Sequence, residues 1–91
     1  MLHTAQIKAA RSLLGWRQHD LSRAADVGLA TIQRIEKSDG PVSGNYATVL
    51  RIQAAFEKAG IQFTDDESGG IGVRLLKKPE AKSPRRPRRA G

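Results

Sequence analysis

Apolar positions between Gln18 and Lys37 follow a helical spacing that is interrupted once. On each side of the interruption they recur three or four residues apart, at Leu21, Ala25, Ile32 and Ile35. The interruption falls at Asp26-Val27-Gly28, where Asp tolerates a positive φ and Gly adopts one without steric cost. This pattern predicts two short helices that meet at a tight corner, with Val27 buried in the corner and small Ser22 where the helices approach closely.

Two more helices are predicted outside this segment. The first runs from Thr4, its expected N-cap, to Leu14, and Gly15 ends it. The last begins after an Asn45 cap and runs to about Ala59, with Gly60 as its stop. Its expected apolar stripe is Tyr46, Val49, Ile52 and Phe56.

After Gly60 the period changes from helical to alternating. Segments 61–64 and 73–75 alternate apolar and polar residues around a glycine-rich connection, which predicts a β-hairpin. The side chains expected to pack on the helices are Ile61, Phe63, Val73 and Leu75. A two-stranded ribbon leaves open edges, so pairing with a second copy is one route to a homodimer.

The outer side of the helix Leu29–Lys37 carries no acid. Ala30, Gln33, Arg34 and Lys37 recur at helical spacing. Gln can bind adenine and Arg guanine through paired hydrogen bonds. A short helix of this kind, held by a partner at a tight corner, is typical of a helix-turn-helix. The plainer alternative is a helix pair whose polar side is merely solvated.

The chain resembles the phage-repressor (Cro/C1, XRE) family of helix-turn-helix regulators over roughly its first two-thirds, the size of one small domain. The matching residues are Ile7, Arg11, Leu13, Leu14, Gly15, Gln18, Leu21, Ser22, Ala25, Val27, Thr31, Ile32, Ile35 and Glu36. Two positions depart from the family pattern: Asp26 replaces a usual Gly, and Gly28 replaces a capping Ser or Thr. The resemblance implies a mainly α fold with a four-helix lambda-repressor-like helix-turn-helix domain (1–60). The sequence patterns described here add the hairpin (61–76) and a basic tail (77–91) that is expected to be disordered.

The resemblance also assigns roles to residues. Those expected to read bases are Leu29, Ala30, Gln33, Arg34 and Lys37, with Ala30 offering an apolar contact to a thymine methyl group. Those expected to contact phosphates are Arg17, Gln18, Thr31, Ser43, Gly44 and Asn45. A structural ion pair is expected between Arg11 and Glu36. The loop 38–44 has no Lys or Arg, so few phosphate contacts are expected from it.

The positive charge lies mostly at the C-terminal end. The net charge of the 91-residue chain is +7, and residues 77–91 carry seven basic residues against one acid, or +6. This Pro- and Arg-rich segment is expected to be disordered and to add sequence-independent phosphate contacts or grip a minor groove. The alternatives are a solubilising tail or binding to another acidic partner.

Residue composition and motif spacing argue against several other classes of function. The chain has no Cys, no nucleophile–base motif and no metal-ligand spacing, so no enzyme, cofactor or metal site is expected. No signal peptide or membrane-spanning run is evident, so a cytoplasmic, nucleoid-associated protein is expected. The predicted function is sequence-specific double-stranded DNA binding by a repressor-like homodimer. The alternative is an antitoxin-type DNA-binding protein whose hairpin or tail binds a toxin.

Overall fold

Four helices precede a two-stranded antiparallel hairpin in the computed structural model, which describes residues 2–76. The elements are α1 (Thr4–Leu14), α2 (Gln18–Ala25), α3 (Leu29–Lys37), α4 (Tyr46–Lys58), β1 (Ile61–Asp65) and β2 (Ile71–Leu75). The expectation of a mainly α chain with a C-terminal hairpin is confirmed. The expected disordered tail, 77–91, lies outside the described residues.

A single core joins the helices to the hairpin. Its buried apolar members are Leu2, Ile7, Ala10, Leu21, Ala25, Val27, Ile32, Ile52, Phe56 and Ile61. Phe56 stacks on Trp16, with ring centroids 5.6 Å apart, and meets Phe63 edge-on at 5.8 Å. These ring contacts connect the α1–α2 link, α4 and β1, so the hairpin shares the core of the helices.

The start of α1 differs from the sequence prediction. The residue before the helix is His3, whose backbone N–H donates to the Gln6 side-chain oxygen at 2.9 Å. Thr4 is therefore not the N-cap; it is buried, and its hydroxyl donates to the Ile35 carbonyl at 3.3 Å. The hydroxyl thus connects α1 to α3. At the other end, Gly15 has φ +69° and closes the helix as expected.

The corner between α2 and α3 depends on Asp26. Asp26 adopts the left-handed conformation with φ 55°, whereas Gly28 has φ −57° and precedes α3 as its N-cap. Of the two residues of the corner that tolerate a positive φ, Asp26 adopts it and Gly28 does not. The Ser22 hydroxyl donates to the Val27 carbonyl at 2.5 Å, and Arg51 of α4 donates to the Asp26 carbonyl at 3.3 Å. Side chains of α2 and α4 thus bind the two carbonyls of the corner.

The hairpin is attached to α1 by a buried amide. Thr64 pairs with Gly72 in the antiparallel register, and the Gln6 amide nitrogen donates to both of their carbonyls, at 3.1 and 3.0 Å. Two expected core positions are wrong: Leu75 is 46 % exposed and Tyr46 is 75 % exposed. Leu75 is the last residue of β2, opposite Ile61, and Tyr46 occupies the first position of α4, so both side chains lie at the margin of the core.

Candidate nucleic-acid interface

The outer side of α3 forms one exposed, acid-free stripe. The side chains in it are Leu29, Ala30, Gln33, Arg34 and Lys37, and all five are exposed. Thr31 is half-buried beside them, and its hydroxyl accepts a hydrogen bond from the Arg34 guanidinium at 3.3 Å. This bond lies along one turn of the helix and leaves most of the guanidinium donors open to solvent. The stripe therefore presents an amide, a guanidinium and an ammonium group together.

One buried carboxylate fixes the orientation of this stripe. Glu36 is 5 % exposed and lies on the inner side of α3. Arg11 of α1 binds it with two nitrogens, Nε and Nη2, each 2.7 Å from a carboxylate oxygen. The hydrogen bond to Glu36 raises the pKa of Arg11, an effect that desolvation opposes. Because such a two-point contact defines the relative orientation of both groups, it holds α3 at a fixed angle to α1.

A third helix joins the same carboxylate through Gln18. Its side-chain nitrogen donates to Glu36 Oε1 at 3.2 Å. One of the two amide N–H bonds is therefore engaged inside the protein. The structure thus gives Gln18, expected only to contact DNA, a part in connecting α1, α2 and α3.

The other expected phosphate-binding residues lie on two separate segments. Arg17 is exposed immediately before α2, and its backbone N–H donates to Asp20 at 2.8 Å, which lowers the pKa of Asp20. Ser43, Gly44 and Asn45 are exposed before α4. The side-chain oxygen of Asn45 accepts the Thr48 N–H at 3.2 Å, so its cap role is confirmed and only its amide N–H bonds are open.

The loop before α4 is tied down at two points. The Thr4 N–H donates to the Gly40 carbonyl at 3.0 Å, and the Val42 N–H donates to the Leu2 carbonyl at 2.8 Å. The N-terminal segment thus positions the loop, and Ser43 and Gly44 follow these fixed points directly. These bonds hold the loop next to the C-terminal end of α3. The loop itself, residues 38–44, contains no basic side chain.

Sequence reasoning overlooked Lys8. Its exposed side chain lines an open depression of about 470 Å³ together with Gln18, Gln33, Glu36 and Lys37. Lys8 lies three residues before Arg11, hence one turn away on the same side of α1. The expected pairing of Arg11 with Glu36 therefore contained the signal that Lys8 faces α3.

No family model, curated protein or solved structure matches this chain. Within residues 2–76, no group of His, Cys, Asp or Glu side chains is arranged to hold a metal ion. No helix of this part of the chain has the length and apolar character required to cross a membrane.

Proposed function

We propose that this protein is a sequence-specific double-stranded DNA-binding transcriptional regulator of the phage-repressor (Cro/C1, XRE) type. In this proposal α2, the corner and α3 form a helix-turn-helix, and α3 enters the major groove. The observation that carries the proposal is the exposed, acid-free stripe of α3, held at a fixed angle through Glu36. A rigid presentation is what groove recognition requires, since small shifts would misalign contacts to base edges.

The contacts divide into those that read bases and those that position the protein. Gln33 and Arg34 stand at the centre of the stripe and offer paired donors suited to adenine and guanine. Ala30 lies one turn before Arg34 and can accept a thymine methyl group, with Leu29 and Lys37 at the two ends of the stripe. The residues proposed for backbone contacts are Arg17, Gln18, Thr31, Ser43, Gly44 and Asn45.

Two copies of the chain are proposed to bind a near-palindromic site, with one α3 in each half-site. The hairpin supplies the proposed contact between copies, because its two strands pair only with each other among residues 2–76. Ile71, Leu75 and Leu76 are exposed apolar side chains on or next to β2. Sedimentation at micromolar concentration should give the mass of two chains, and the mass of one would reject this part of the proposal.

The decisive experiment selects bound duplexes from a random pool, at a stated salt concentration, with the full chain. The expected result is an enriched motif with two related half-sites about one helical turn apart. Arg34→Ala should cost about 1–3 kcal/mol on the selected site and relax the preference at one base position. Lys58→Ala is the matched control, because it also removes one exposed positive charge, in the last turn of α4 outside the stripe and the hairpin, and should leave the preference unchanged.

A pool without enrichment would reject the assignment, because α3 would then not distinguish sequences. An Arg34→Ala variant that loses affinity equally on all duplexes would make Arg34 a phosphate contact and would reject its base-reading role.

A further inference from the structure

Two lysines from different helices line the same depression as Glu36. Lys8 belongs to α1 and Lys37 closes α3, and both line the depression. Among residues 2–76, the ion pairs are Arg11–Glu36, His19–Asp20 and Arg23–Asp20, so neither lysine is paired. Both ammonium groups are therefore open to a ligand outside the protein.

The floor of the depression does not cancel their charge. Glu36 is the acidic residue in the lining, and Arg11 already neutralises it from below. With Lys8, Lys37 and Arg11 against Glu36, the local sum is 3 − 1 = +2. A net positive, concave surface with unpaired ammonium groups favours an anion.

Hydrogen-bond donors converge on the same space. Gln18 lines the depression and donates one of its two amide N–H bonds to Glu36, so the second is available. Gln33, proposed to read a base, forms another part of the lining. An anion bound there would thus lie directly beside the base-reading stripe.

We propose that Lys8 and Lys37 together hold one phosphate group of the DNA backbone over this depression, with Gln18 as a further donor. This inference rests on the proposed DNA-binding function and extends it to α1, an element outside the two helices of the motif. It gives Lys37 a phosphate partner instead of a base partner. Because the phosphate lies beside Gln33, the contact sets how far α3 is advanced along the groove.

The salt dependence of binding tests this proposal. Fluorescence anisotropy of the full chain would follow the selected duplex and a scrambled duplex over a series of KCl concentrations. Each phosphate neutralised contributes about 0.9 to the slope of log K against log salt. Lys8→Gln and Lys37→Gln should each lower that slope on both duplexes, and the double variant should lower it by about 0.9 in total, since the two lysines share one phosphate.

Matched variants separate this effect from general changes in charge. Lys58→Gln removes an exposed lysine in the last turn of α4 and should leave the slope unchanged. Lys8→Arg retains the charge and should restore the slope that Lys8→Gln lowers. The ratio of affinities for the two duplexes should stay constant in all of the Lys8 variants, because phosphates carry no base identity.

Each of the other outcomes contradicts a specific part of the two-lysine proposal. A double-variant decrease of about 1.8 would mean two separate phosphates, and an unchanged slope in Lys8→Gln would remove α1 from the interface. A changed base preference in Lys37→Gln with an unchanged slope would return Lys37 to base reading. In these three cases wild-type preference for the selected duplex still supports the proposed function. Wild-type binding without preference rejects the proposed function while the slopes still test the lysines, and no binding to either duplex rejects both.

Discussion

Arg11 and Glu36 show how a single pair of side chains can govern the geometry of a surface that neither belongs to. Glu36 faces inward and is bound by Arg11 and Gln18, while its neighbours Arg34 and Lys37 face outward. A buried carboxylate that loses its partner retains the cost of desolvation without the compensating attraction. Loss of Arg11 would therefore destabilise the protein mainly because the Glu36 carboxylate would stay buried without its counterion.

Replacing Arg11 by Met is expected to lower the free energy of unfolding by about 3 kcal/mol, at the lower end of measured values because Arg11 is partly exposed. Urea unfolding followed by circular dichroism would measure it. Arg23→Met is the control, since Arg23 forms an exposed pair with Asp20 at 3.5 Å and should cause no resolvable change. Equal stability of the two variants would show that Glu36 does not depend on Arg11.

A substitution at Gly28 is expected to stabilise the fold instead of destabilising it. It is the N-cap of α3, makes no side-chain cap bond and has an ordinary φ of −57°. A Cβ added there meets nothing closer than the Thr31 hydroxyl at 4.0 Å. Gly28→Ser should therefore raise the free energy of unfolding by roughly 0.5–1 kcal/mol, through a cap bond and a less flexible unfolded chain. Gly15→Ser, at φ +69°, should be destabilising in the same urea experiment.

Single residues also mark where prediction from sequence reached its limit. Asp26 and Gly28 together indicated a corner with a positive φ, but the sequence did not show which of the two adopts it. Thr4 was misassigned as an N-cap, since capping depends on neighbours that sequence spacing does not specify. Gln6 was not singled out at all, because its partners are carbonyls of residues 64 and 72, far along the chain.

Among the elements, the hairpin depends most clearly on a contact outside itself. Short two-stranded ribbons are marginal in water unless they pack on something else. Here the inner side chains Ile61, Phe63 and Val73 pack against the helical core, and Gln6 binds both strands through their carbonyls. The hydrogen bonds of Gln6 give the hairpin a fixed position along α1.

Gln6→Glu tests that attachment. At neutral pH the new carboxylate would face the Thr64 and Gly72 carbonyls without a proton to donate, so stability should fall by about 1–3 kcal/mol. Amide hydrogen exchange should show the largest loss of protection in β1 and β2. Gln62→Glu makes the same chemical change on the exposed side of β1 and should have little effect. Uniform loss of protection in all elements would contradict a local attachment.

The turn of the hairpin should respond to pH through Asp66. Its Oδ1 atom accepts hydrogen bonds from the Ser68 hydroxyl at 2.7 Å, the Gly70 N–H at 2.8 Å and the Ser68 N–H at 3.0 Å. These donors favour the ionised form and lower the pKa of Asp66. A carboxyl with a lowered pKa stabilises the fold above its unfolded value of about 3.9, and the contribution disappears as pH falls through the folded value.

The proton chemical shift of the Gly70 amide would follow this titration. Its midpoint should lie below about 3.9, and Asp66→Asn should abolish the transition while leaving the shifts of α2 and α3 unchanged. A midpoint at or above the ordinary aspartate value would show that the turn does not favour the charged form.

For the molecule as a whole, charge is distributed very unevenly along the chain. Residues 1–76 hold nine basic and eight acidic side chains, so their net charge is +1, while residues 77–91 carry +6. Under the proposed function, a nearly neutral body obtains its selectivity from the placement of a few groups. A strongly basic segment is suited to long-range attraction that any duplex satisfies equally.

Removing residues 77–91 should weaken binding to selected and scrambled duplexes by the same factor and should reduce the salt slope. The preference ratio should remain, because the stripe of α3 is intact. Anisotropy titrations of the full and truncated chains at matched salt would compare them. An unchanged slope would exclude phosphate contacts from this segment, and a lost preference would assign it a part in sequence reading.

Local sequence patterns were sufficient to predict the helices and the hairpin of the molecule. They were not sufficient to predict all of the residues that surround the exposed side of α3. Periodicity identified which side of each helix is apolar, and alternation identified the strands. Lys8 was overlooked although it lies one turn from Arg11, because its place beside Gln33 and Lys37 also depends on how α1 packs against α3. Tyr46 was misplaced because periodicity describes a stripe but not where the core beneath it ends.

The arrangement of α1 has a practical consequence for protein engineering. This helix supplies the Thr4 hydroxyl and the Arg11 guanidinium to α3 on one side and the Gln6 amide to the hairpin on the other. Transplanting α2 and α3 alone into a foreign scaffold would carry Glu36 along without its main counterion. A transplant that preserves the present orientation of α3 therefore has to include α1 as well as α2 and α3.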